Sequence, residues 1–70
     1  MTEYGYFEKG RWEGYWWRIR PAMTKGVYEA IIGKGNREIM YAIGTYEDSK
    51  KYIREQAKKE KYNDEWINQD

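Results

Sequence analysis

The sequence predicts a two-layer α+β domain, an antiparallel sheet of three to four strands packed on one C-terminal helix, in the order β-β-β-(β)-α. Three observations predict it. The chain has no Leu but seven Ile, with four Trp, eight Tyr and one Phe; Ile and the aromatics favour a pleated surface, whereas Leu is a strong helix former. Short apolar runs are divided by Gly and Pro at hairpin spacing in residues 1–44. After Gly44 the chemistry changes to a cap-rich, lysine-rich stretch with helical periodicity.

Tyr4 to Glu8 is a possible first strand, and Lys9-Gly10-Arg11 a turn. Trp12 to Arg20 gives the clearest strand. It alternates, with Tyr15, Trp17 and Ile19 on one face and Trp16, Arg18 and Arg20 on the other. Pro21 ends it, because proline cannot donate to a ladder. Val27 to Ile32 and Ile39 to Ile43 are two further strands joined by Gly33-Lys34-Gly35-Asn36, residues that tolerate hairpin turns. A two- or four-residue loop places Tyr28, Ala30 and Ile32 with Ile39, Tyr41 and Ile43 on one uncharged face. The opposite face then carries Val27, Glu29, Ile31, Glu38, Met40 and Ala42.

A helix is expected from about Thr45–Ser49 to about Lys61, with Thr45, Asp48 or Ser49 as N-cap and Glu47 and Asp48 at the positive end of its dipole. Its apolar stripe, Tyr52, Ile53 and Ala57 with Gln56 between, is narrow enough to lie on a sheet. Glu47–Lys51, Lys51–Glu55 and Glu55–Lys59 have the spacing of helix ion pairs. Trp66 and Ile67 either anchor residues 62–70 on the domain or leave them as a frayed tail.

Seventy residues form one domain, spanning 1–70. A chain this small buries only about 60% of its unfolded surface and usually needs a staple. With no Cys and no His, disulfides, thiolate ligands and imidazole ligands are all excluded. What remains is a dense aromatic core, an oligomer or low stability. No apolar run approaches a membrane span of about 20 residues, and the first residues have neither a basic nor an apolar signal segment. A cytoplasmic location is expected.

Catalysis through Ser-His-Asp or Cys-His is excluded by composition. The single Ser, Ser49, sits where a helix cap would. No Lys lies in an apolar run that would depress its pKa, and most carboxylates neighbour a Lys or Arg. Gly33-Lys34-Gly35-Asn36 fails as a phosphate loop, because Glu38 stands where a dinucleotide fingerprint needs its third Gly and no Gly-Lys-Ser/Thr is present. No enzyme activity and no cofactor are expected.

The net charge is +1, but residues 9–37 carry seven basic groups against two acidic ones, while 62–70 carry three acidic groups and no basic one. The informative cluster is Trp16, Arg18 and Arg20, with Arg11, Lys25, Lys34 and Arg37 on its rim. Arg binds phosphate bidentately and aromatic rings stack on unpaired bases, so the leading expectation is a non-catalytic nucleic-acid-binding module. The same residue types populate protein hot spots. The alternative is a small protein-binding factor, an inhibitor or adaptor of the kind phages and mobile elements encode, or a homodimer using that face. The bland reading, a covered Trp16 beside solvated arginines, stays open.

The layout, three strands followed by Gly44-Thr45-Tyr46 opening a lysine-rich helix, resembles the small sheet-plus-helix DNA-binding domains at the N-terminus of some phage-type recombinases. It also resembles the later half of double-stranded-RNA-binding domains. Both likenesses are architectural, and architecture does not carry function; no residue role transfers from either.

Overall fold

The computed structural model describes residues 2–61; the expected tail anchors Trp66 and Ile67 lie outside the described residues. Four strands, β1 (Glu3–Tyr6), β2 (Trp16–Pro21), β3 (Tyr28–Lys34) and β4 (Arg37–Gly44), precede one helix, α1 (Tyr46–Ala57). The strands form an antiparallel sheet in chain order, with β1 and β4 at its edges. Hairpin connections dictate this order, since each is too short for a crossover. No helix among the described residues is long and apolar enough to cross a membrane.

The helix covers one face. Phe7, Ile19, Ala30, Ile32 and Ile53 form the buried core, framed by half-buried Trp12, Tyr15, Trp17, Tyr28, Tyr46 and Tyr52. Trp17 and Ile19 thus lie on the helix side, as the alternation of that strand predicts. Edge-to-face ring contacts, Trp12 on Tyr15 at 5.2 Å and Tyr28 on Tyr46 at 5.3 Å, stiffen this frame with the geometry that ring quadrupoles prefer.

The start of β2 and the end of the helix both move from their expected positions. Trp12–Tyr15 is not strand, because a turn occupies residues 11–14. Gly14 takes a φ of 87° there, and its N–H donates to the Phe7 carbonyl while the Phe7 N–H donates to Tyr15. Trp12 is instead tied to the helix, its Nε1 donating to Gln56 Oε1 at 2.8 Å. The helix stops at Ala57 rather than near Lys61, since the Lys59 carbonyl accepts the Arg11 N–H and leaves the helical path. At its start Thr45 is the cap: its Oγ1 accepts from Asp48 N–H at 3.0 Å and the Asp48 carboxylate accepts from Thr45 N–H, a capping box. The ion pairs between described residues tie separate segments together, as Arg20–Glu29, Lys50–Glu3 and Lys61–Glu13, rather than following the helix spacing.

The largest correction concerns β4. Of the two- and four-residue loops that the sequence allows, the hairpin turn is the two-residue one, with Lys34 opposite Arg37 and Gly33 opposite Glu38. A bulge then slips the register by one, so that Ile32 faces Met40, Ala30 faces Ala42 and Tyr28 faces Gly44. Ile39, Tyr41 and Ile43 therefore do not join Tyr28, Ala30 and Ile32 under the helix. They are 48%, 67% and 58% exposed. The reason is steric. The first helical turn sits on this end of the sheet, and a β-carbon on Gly44 would come within 2.9 Å of the Asp48 carboxylate. Ala42 and Gly44 leave that room; Tyr41 and Ile43 would fill it.

Candidate functional site

The sheet face turned away from the helix is built from three cross-strand rows. Register places Tyr4, Arg18, Ile31 and Tyr41 side by side across all four strands. Tyr6, Trp16, Gly33 and Glu38 form the row nearest the hairpin, and Arg20, Glu29 and Ile43 the row nearest Pro21. Side chains alternate faces along a strand, so the position of Trp17 and Ile19 in the core sends Trp16, Arg18 and Arg20 outward together.

Their environments differ. Trp16 is half-buried. Its Nε1 donates to the Gly35 carbonyl at 2.9 Å, and its six-membered ring lies directly against Gly33, where any β-carbon would collide with it. The Arg18 guanidinium sits over the same ring, 5.0 Å from its centroid, a cation–π arrangement. Arg20 is committed elsewhere, its Nε donating to Glu29 Oε1 at 2.9 Å. Among the described residues no carboxylate pairs with Arg18. Ile31, in the middle of the face, is only 1% exposed, enclosed between the rows that flank it.

The four expected rim residues do not converge on this face. The Lys34 Nζ lies over the Tyr15 ring at 4.7 Å, on the helix side of the sheet, and Arg37 is its direct cross-strand partner. Lys25 is in the β2–β3 loop at the opposite end, and Arg11 is in the turn beside the end of the helix, where its N–H meets Lys59.

Sequence reasoning left out two tyrosines that stand on this face. Tyr4 and Tyr6 are 77% and 68% exposed, and with Trp16, Arg18, Asn36 and Glu38 they line an open groove. The Tyr4-Gly5-Tyr6 alternation was the available signal, since two rings spaced by one residue on a strand must share a face. Tyr41 and Ile43 gave no such signal, because their position depends on the bulge.

A clasp on the other side holds β1, and so Tyr4 and Tyr6, in place. Tyr46 Oη donates to the Glu3 carboxylate, and Lys50 Nζ approaches the same carboxylate at 3.4 Å. The Tyr46 hydrogen bond, helped by Lys50, holds the Glu3 pKa below the usual carboxylate range. The bond to Glu3 pushes the Tyr46 hydroxyl up and likewise raises Lys50.

No protein-family model matches the chain, and neither the curated proteins nor the solved structures yield a match.

Proposed function

We propose that this domain is a non-catalytic nucleic-acid-binding module that works through the open face of its sheet. The observation that carries the reading is Arg18. It is a guanidinium without a carboxylate partner among the described residues, set between exposed Tyr4 and a half-buried Trp16. Exposed rings on a sheet stack unpaired bases for about 1–3 kcal/mol each. A guanidinium between them is placed to take the phosphate that links two stacked bases. Tyr4, Tyr6 and Tyr41 are the stacking groups. Trp16, fixed by Gly35 and lying on Gly33, is the floor that orients Arg18. Arg20 is held by Glu29 and contributes less than sequence spacing suggests. Lys25, Lys34, Arg37 and Arg11 lie around the periphery and act at longer range, by raising the encounter rate with a polyanion. A cytoplasmic setting fits this role.

The test is fluorescence anisotropy with labelled single- and double-stranded DNA and RNA at low salt. Binding is expected, steepest in its salt dependence for Arg contacts, and strongest for single strands if the tyrosines stack. Arg18→Ala and Tyr6→Ala should each weaken it about tenfold or more without changing the melting temperature appreciably. No binding of any of the four probes would end the reading.

A second reading has its own observation. Ile39, Tyr41 and Ile43 are more exposed than isolated apolar surface residues need be, and the net charge is only +1. Both suit a protein partner. A complex indifferent to oligonucleotide would support it.

A further inference from the structure

The two edges of the sheet are unequal. β1 is four residues long, contains a glycine and is clasped to the helix through Glu3. Short edges resist pairing with other chains. β4 is the longest strand, eight residues, and it has neither Lys nor Pro. Its protecting devices, charged Arg37 and Glu38 and the bulge, all lie near the hairpin, which leaves Met40–Gly44 as a regular run with a free edge. The helix packs on one face of β4 as it does on β3, but no strand lies beyond β4, so its backbone edge is unpaired. Apolar side chains are open on both faces of the strand, Met40 (36% exposed) on the helix side and Tyr41 and Ile43 on the other.

We infer that β4 pairs antiparallel with β4 of a second copy, joining two sheets into one of eight strands with both helices on the same side. This goes beyond the nucleic-acid reading and does not depend on it. A two-fold axis through the sheet at Ala42 makes the strand complementary to itself. Tyr41 meets the partner's Ile43 on the open face, an aromatic–β-branched pair of the favoured kind. Met40 meets the partner's Gly44 on the helix side, and Ala42 meets its own copy. Centring at Ala42 also keeps the bulge out of the ladder.

Charge selects a second copy over an unrelated strand. The hairpin end of β4 carries Lys34 and Arg37, and the other end leads into Glu47 and Asp48 of the first helical turn. Antiparallel pairing brings the hairpin end of each copy, with Arg37, toward the far end of the partner's strand, where Glu47 follows in the first helical turn, twice by symmetry. Arg37 and Glu47 are both exposed, and neither is in an ion pair between described residues. A net charge of +1 leaves little repulsion between copies.

Sedimentation equilibrium of the intact chain over a dilution series tests this. The mass should rise from one copy to two with concentration and stop at two. Arg37→Glu and Glu47→Arg should each weaken the dimer roughly five- to tenfold, as two lost pairs become two repulsive ones, and the double variant should restore it. Circular dichroism checks that each variant is folded. Amide exchange in Met40–Gly44 should slow as concentration rises. A single-copy mass up to concentrations used for NMR, growth beyond two copies, or a double variant no tighter than the single ones would overturn the inference.

Discussion

Gly33 shows how much one missing side chain decides at the residue scale. The Trp16 ring and the Arg37 carbonyl both occupy the space a β-carbon would need. Gly33→Ala must therefore push Trp16 off the sheet, breaking its bond to Gly35 and removing the surface on which Arg18 rests. A loss of about 1–3 kcal/mol is expected from overpacking, read by urea denaturation, together with a shift in tryptophan emission; an unshifted midpoint would show that Trp16 is not seated there. Ser49 makes the opposite prediction. It is 2% exposed and its Oγ has no hydrogen-bond partner. A buried polar group without a partner carries its desolvation cost uncompensated, so Ser49→Ala should be neutral or stabilising by up to about 1 kcal/mol in the same assay. The sequence correctly placed Ser49 near the helix start but could not distinguish it from Thr45 as the cap, since both have the right chemistry and only the backbone path selects between them.

At the scale of elements, the clasp between β1 and the helix has a definite pH signature. Glu3 titrates below its ordinary value in the folded chain, because Tyr46 and Lys50 favour the carboxylate. Its contribution is therefore complete above the usual carboxylate range and is lost as the pH falls through the depressed value. Tyr46 and Lys50 titrate above their ordinary values, so their contribution is complete below those values and is lost as the pH rises through the raised ones. The clasp is whole near neutrality and opens at both extremes. In Tyr46→Phe the acid-side drop in melting temperature should shrink, because the largest influence on Glu3 is gone, while the Lys50 pair remains. An identical acid limb in variant and parent would mean that the clasp contributes nothing to folding. The pairing of β1 with the helix was not legible in the sequence: Glu3 and Tyr46 are separated by most of the chain, and nothing local marks them as partners.

The whole molecule decides how its charge is presented. Residues 9–37 look like one basic region when read along the chain, yet folding distributes them to both faces and both ends of the sheet. Arg18 and Lys25 should consequently behave differently if the open face takes nucleic acid. Arg18→Ala should reduce affinity at every salt concentration. Lys25→Ala should chiefly flatten the salt dependence, by about one unit of slope if it meets a phosphate and by less if it acts at a distance. Equal effects from the two variants would place the contact surface elsewhere than on the open face. The core is correspondingly spare. Ile19, Ala30 and Ile32 from the sheet meet Ile53 from the helix and Phe7 from the segment after β1, and the half-buried aromatic frame supplies much of the remaining apolar burial.

The sequence by itself determined the element types, their order, the place of the β3–β4 turn and the parity of β2. These follow from local chemistry: alternation with period two, glycine and proline as breaks, and a cap followed by carboxylates. Only the tertiary structure decided which side of β4 faces out and which cations share a face. A bulge adds one residue without changing composition, yet it inverts every later side chain, and it is chosen by what the helix can tolerate above Ala42 and Gly44. The pairing of Arg20 with Glu29, and the lack of a carboxylate partner for Arg18 among the described residues, arise in the same way, from register between strands rather than from spacing within one.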